Sequence, residues 1–174
     1  MAIRPIVIVP HMALSAKAKE IKEITDSIRA LARDLADTMY RAPGVGLAAN
    51  QVGVPVQLIV IDVEYPYQEP KDKRKNPITI INPRICASDG TCSREEGCLS
   101  LPEFTVDITR SEAVRVEGID LKGNPLVIEA EDLLARALQH EIDHLKGITI
   151  LDYASSLKKS LYKRKLRKMG GRSA

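Results

Sequence analysis

The sequence predicts an α+β fold in which mostly antiparallel sheets pack around one central helix, with a further helix towards each end of the chain. Three observations predict it: an amphipathic stretch at 24–40, short apolar or alternating segments between 56 and 130, and two helical stretches after 131. No repeat period or low-complexity block divides the 174 residues, so 1–174 is expected to be a single domain. Hydrophobic residues make up 44% and charged residues 28%, which suits a globular chain and excludes long disorder, collagen and coiled coil. An aromatic content of 3%, without Trp, leaves almost nothing from which to build a stacking platform for single-stranded nucleic acid.

Taken in order, Ile24, Ile28, Leu31, Leu35 and Met39 recur at helical spacing, and Thr25 or Asp26 is available as the N-cap. VQLIVIDV at 56–63 and PITIINP at 77–83 are too short for helices and read as strands. The Pro-rich, charged stretch between them is an exposed loop. AVRVEGIDL at 113–121, the turn KGNP and then LVIEA form a hairpin. EDLLARALQHEIDHLK at 131–146 is helical and stops at Gly147. A last helix covers about 155–168, with Leu157, Leu161 and Leu166 as its apolar contacts.

Three cysteines cannot all pair within the chain, so free or metal-bound thiols are expected. The N-terminal apolar run is short and broken at Pro10, and no apolar run reaches 18 residues. A cytoplasmic chain with no membrane span is therefore expected. The net charge of +3 conceals an asymmetry. After Asp152 there are eight basic residues, Lys158 to Arg172, and no acidic one. The rest of the chain holds 18 basic and 23 acidic residues, a net −5. A basic tail on an acidic body suggests an acidic partner for the tail and no sequence-specific nucleic acid for the body.

The 131–146 helix contains His140, Glu141 and His144, an H-E-x-x-H pattern. Histidines four apart lie one above the other on one helix face, close enough to share a metal ion. With 3 His and 12 Glu in the chain, the pattern arises by chance in roughly one such sequence in three hundred. On a helical wheel Asp132, Arg136, Gln139, Asp143 and Lys146 form a solvated stripe, and Leu134, Leu138, Ile142 and Leu145 a core stripe. The H-E-x-x-H residues fall in neither, but in an arc with Leu133 and Ala137. A buried Glu beside two His is costly unless a cation compensates it. The third ligand is open at this point. Ile150 stands where a third metzincin-type His would be, and no Glu follows Glu141 as a gluzincin would need. His11, an upstream carboxylate or a cysteine remains. Cys98 is favoured slightly by its neighbour Gly97; Cys86 suits a small buried apolar residue, and Cys92 lies in a turn.

GVGLAANQ at 44–51, EEGCLSLP at 95–102 and QHEIDHLKG at 139–147 resemble, in order and spacing, the three signature motifs of bacterial peptide deformylase. The likeness extends from the N-terminal VPHMALSAKAKEI to about residue 155, and the basic tail resembles one branch of that family. The resemblance implies removal of the formyl group from N-terminal formyl-Met of nascent polypeptides. It implies one divalent metal ion, natively Fe(II), with Zn, Ni or Co accepted. The implied ligands are Cys98, His140 and His144. Glu141 is then the general acid/base, and the Gln51 side chain and Leu99 backbone N–H face the reacting carbonyl oxygen. Gly44, Val45, Gly46, Glu96, Gly97, Leu133 and Ala137 would contact substrate. Arg94 and Arg136 stand near the side-chain pocket where the resemblance implies apolar residues, and Arg136 is expected to turn outward. The chain is expected to act as a monomer that reaches the ribosome through its tail. The rival readings are a small metalloendopeptidase and a non-catalytic, metal-stabilised ribosome-binding module.

Overall fold

The computed structural model describes residues 2–69, 71 and 74–170. A single turn, α1 (Met12–Ser15), leads to α2 (Asp26–Arg41), where the Thr25 hydroxyl accepts from the Ile28 amide as N-cap. Leu31, Leu35 and Met39 are buried, while Ile24 and Ile28 pack at the margin of the same cluster. Then come β1 (Gly46–Ala48), β2 (Leu58–Ile61), β3 (Ile78–Asp89), β4 (Cys92–Cys98), β5 (Leu101–Arg110), β6 (Ala113–Ile119) and β7 (Pro125–Glu131). Among the described residues every ladder between these strands is antiparallel. Five strands form a sheet in the order β1-β2-β3-β6-β7, and β4 and β5 form a separate hairpin.

The unbroken LIVI of β2 is buried on both sides because successive side chains alternate faces. Ile59 and Ile61 pack with Leu138 and Ile142 of α3 (Asp132–Leu145), while Leu58 and Val60 pack with Leu31 and Leu35 of α2. α3 ends at Leu145, and Gly147 follows at φ 77°, where an added Cβ would lie 2.6 Å from the Ser15 carbonyl oxygen. Glycine is required there by conformation and by space.

The β4–β5 hairpin departs from the sequence reading, which placed Cys92 in a turn. Phe104, Val106, Ile108 and Arg110 of β5 point inward in alternation. The apolar ones pack with Ile150 and Leu151, from a 3-10 turn at Ile150–Tyr153, and with Ala154 and Tyr162. The hairpin covers one side of α3, and Gln139 exchanges two hydrogen bonds with the Ser111 backbone, at 3.0 and 2.9 Å. Arg136, Gln139 and Asp143 are therefore not a solvated stripe. They are polar residues satisfied beneath a second layer, while Asp132 and Lys146 stay exposed.

β3 continues past residue 83 through register shifts, pairing with β6 as far as Asp89. Cys86 is exposed on it rather than buried, its thiol donating to the Arg115 carbonyl at 3.3 Å. α4 (Ser156–Gly170) is helical as expected, but Leu157 and Leu161 are 69% and 47% exposed. Tyr162 anchors the helix instead, with Leu166 beside it. Its ring lies 4.6 Å from that of Phe104 and its hydroxyl donates to the Pro102 carbonyl at 3.0 Å, a pairing of apolar body and polar tip that Leu cannot make. Seven of the eight basic tail residues lie on α4; Arg172 is outside the described residues, as are Pro70, Asp72 and Lys73 of the expected loop. Among the described residues, no helix is long and apolar enough to cross a membrane.

Candidate active site

His140 and His144 project from successive turns of α3, with ring centroids 5.0 Å apart. Cys98 meets them from the end of β4, where the register against β5 shifts between Gly97 and Cys98. One ligand atom from each of the three lies within 4.8 Å of the others, and Cys98 Sγ is 3.2 Å from His144 Nε2. The other candidates for the third donor lie elsewhere in the fold or serve otherwise. His11 caps α1, accepting from the Ala13 amide, and Cys86 and Cys92 do not join the group.

The upstream carboxylate Glu96 partners His140 instead. It is buried and accepts from Arg110 Nε at 2.6 Å and Nη2 at 3.0 Å, and from Arg136 Nη1 at 2.6 Å. Its Oε2 lies 3.0 Å from His140 Nδ1, which leaves His140 Nε2 for the Cys98 side. Burial resists ionisation of Glu96, but hydrogen bonds from His140 and Arg110 outweigh it and hold the carboxyl at about 2. Arg110 continues to Asp143 at 2.8 Å, and Asp143 also accepts from the Tyr153 hydroxyl at 2.7 Å. The imidazoles are driven apart. Burial opposes charge on His140, yet Cys98 and Glu96 raise its pKa to about 10, whereas burial, helped by the charges of His140 and Arg110, takes His144 well below its ordinary value.

Glu141 is buried beside this triangle, with no hydrogen-bond partner for Oε2. Burial pushes its carboxyl up to about 7, against the pull of His140 and Arg110. β1 packs directly on it: a Cβ at Gly46 would lie 2.5 Å from Glu141 Oε1. Gln51 is buried. Its Oε1 accepts from the Ala48 amide at 2.8 Å, which turns Nε2 towards Cys98 Sγ at 3.5 Å and Ser100 Oγ at 3.3 Å.

A cavity of about 360 Å³ opens over these groups. It is lined by Gly44, Val45 and Gly46 around β1, by Glu96, Gly97, Cys98 and Leu99 around the end of β4, by Leu133, Ala137, His140 and Glu141 of α3, and by Gln51. All of the expected site residues except His144 thus line one cavity; His144 is buried behind it, with Nε2 3.2 Å from Cys98 Sγ. Arg136 lines it too, and does not turn outward as expected. Its guanidinium is held inside by Glu96, by the Ile108 carbonyl at 3.1 Å and by the Cys92 carbonyl at 2.7 Å. Arg94 is exposed and borders a smaller neighbouring pocket. Sequence reasoning missed Ser100, Arg110 and Asp143. Arg110 had a signal, since the alternation of β5 puts it on the buried face, where a guanidinium needs an anion.

A soft thiolate and two imidazoles suit a borderline divalent ion, and three protein donors leave further positions open. The partnerless buried atoms Glu141 Oε2 and His144 Nδ1 mark the same region as polar and unfinished. A model of the family described as Polypeptide deformylase matches residues 3–160. The chain belongs to the polypeptide deformylase family. A peptide deformylase of Thermodesulfovibrio yellowstonii is 47% identical over 167 residues, 96% of this chain and 98% of that protein. The crystal structure of a peptide deformylase from Legionella pneumophila matches with TM-score 0.88 at 42% identity, covering 99% of this chain and 98% of that one. The peptide deformylase of Ehrlichia chaffeensis, solved in complex with actinonin, matches with TM-score 0.88 at 37% identity over 97% and 98%. As a member of this family the chain is an enzyme, a metal-dependent deformylase of polypeptides. The endopeptidase and non-catalytic readings fall away.

Proposed function

We propose that the chain removes the formyl group from N-terminal formyl-Met of nascent polypeptides at the cavity beneath β1 and β4, using Cys98, His140 and His144 as ligands of one divalent ion. The observation that carries this reading is the buried Glu141 carboxylate, tuned towards neutrality and packed between Gly46 and the three donors. A bound divalent ion supplies Lewis acidity, making a water molecule easier to deprotonate and the formyl carbonyl easier to attack. Glu141 takes a proton from the attacking water as the new C–O bond forms at the formyl carbon. Gln51 Nε2–H and the Leu99 backbone N–H donate to the oxygen that becomes negative. As the C–N bond breaks, Glu141 returns the proton to the leaving nitrogen, and formate and a free amino terminus depart.

Leu133, Ala137 and Leu99 offer apolar wall for the methionine side chain, and Gly44, Val45, Gly46, Glu96 and Gly97 offer the chain its flanks. Among the described residues β1 ends the five-stranded sheet and β4 pairs only with β5, so each keeps an edge without a strand partner there for an extended peptide to follow. Fe(II) is the native ion in this reading, with Zn, Ni or Co accepted. Activity lost in air faster than in a nickel-substituted sample supports iron, and equal air stability counts against it. The setting is the cytoplasm, where one catalytic domain acts as a monomer and α4 turns its basic residues to the ribosome. The test is formate release from formyl-Met-Ala-Ser against cleavage of an internal bond in an unformylated peptide. Formate without internal cleavage is expected, and the reverse overturns the reading.

A further inference from the structure

Arg136 joins two parts of the site that the reaction as described treats separately. It stands one turn before His140 on α3, and its side chain is 12% exposed. On one side it lines the substrate cavity beside Leu133 and Ala137. On the other, its guanidinium grips both strands of the hairpin, through the Cys92 carbonyl of β4 and the Ile108 carbonyl of β5. The same Nη1 donates to Glu96 Oε1 at 2.6 Å, and the second oxygen of that carboxylate lies 3.0 Å from His140 Nδ1.

Glu96 is thus pinned from two directions, by Arg110 of β5 and by Arg136 of α3, and its rotation sets the angle of the His140 ring. A long substrate side chain filling the cavity would pack against Arg136 and press it towards its carbonyl partners, whereas a short one would leave it held by those partners alone. We propose that Arg136 is a positioning residue that couples filling of the substrate side-chain pocket to the orientation of His140, so that recognition of a long first side chain is expressed in turnover as well as in affinity. This rests on the assignment of His140 as a metal ligand. Arg136→Met keeps an unbranched apolar wall and removes every donor, while Arg110 still neutralises Glu96, so the fold is expected to persist.

The experiment compares wild type, Arg136→Met and Arg136→Lys on formyl-Met-Ala-Ser and formyl-Gly-Ala-Ser, with kcat and KM separated, and records the visible absorption of each cobalt-substituted protein at equal metal content. The expected result is that Arg136→Met lowers the ratio of the two kcat values about tenfold. Its cobalt bands should shift, and Arg136→Lys should recover part of both. An unchanged kcat ratio with only KM altered, or unchanged cobalt bands, reduces Arg136 to a pocket wall and overturns the proposal. An equal fall on both peptides with a lowered melting temperature makes it merely structural, which also overturns it. Failure of the underlying assignment reads differently: a wild-type cobalt spectrum untouched by His140→Ala removes His140 from the ligands, and the proposal with it.

Discussion

Glu141 must be buried to have a carboxyl near neutrality, yet must keep one oxygen free for a proton. Gly46 allows both, because the bare backbone of β1 packs against Oε1 while Oε2 has no partner. Glu141→Gln removes the proton carrier without removing a donor of the three-residue group. It should lower turnover by about 10²- to 10⁴-fold with metal content unchanged, as read by formate release and metal analysis side by side. Near wild-type turnover with metal bound would remove Glu141 from its role. Gly46→Ala tests the packing instead. The new methyl would overlap Glu141 Oε1 at 2.5 Å, so kcat should fall about tenfold or more, with a melting curve close to wild type. Undiminished kcat would show that the carboxylate works from elsewhere.

At the scale of elements, the β4–β5 hairpin decides both the site and how far it was readable. α2, β2, the β6–β7 hairpin and α3 follow from local pattern, because their apolar residues record burial directly: an unbroken run in β2, which lies between α2 and α3, and a stripe or alternation in the others. The H-E-x-x-H pair is legible for the same reason: its spacing is a property of one helix. What Arg136, Gln139 and Asp143 do is not, since a stripe of polar residues looks solvated until the hairpin is laid over it. The position of Cys98 beside the two histidines likewise depends on a register shift in a strand that local pattern did not reveal. The clamp on Glu96 ties this hairpin to α3, and its acid sensitivity can be measured in metal-free protein. Folding holds Glu96 at about 2 against an ordinary 4.5, so the stabilisation is complete above about 4.5 and is lost as pH falls towards 2. Its size is about 3 kcal/mol at full ionisation. Urea unfolding at pH 5, 4 and 3 should therefore show a steep loss in wild type and a shallower one in Glu96→Gln. Parallel curves would deny the clamp that role. His144, whose pKa folding lowers, adds a separate decline at higher pH, where the unfolded imidazole gains its proton and the folded one does not.

Across the whole molecule, charge is divided between an acidic body and a basic helix, and the division has a consequence for how ribosome association is tested. Cutting the chain after Ser156 would remove the charges together with Tyr162, exposing Phe104 and its neighbours. Reversing Lys163, Arg164, Arg167 and Lys168, all exposed, leaves Tyr162 and Leu166 in place. This variant should keep formyl-peptide turnover within about twofold, since surface changes away from such contacts are usually mild. Co-sedimentation with ribosomes should drop and become less salt-dependent. Unchanged co-sedimentation would return α4 to a solvated helix. The packing of Tyr162 on Phe104 also makes the molecule optically simple. With no Trp and a single Phe in the sequence, Phe104→Trp would place the only indole of the protein under α4, below the Lys158 ammonium that already lies 5.4 Å from the ring. Its emission would report the docking of the helix directly, free of any competing indole, and would turn the engagement of the basic tail into a colour change followed in real time.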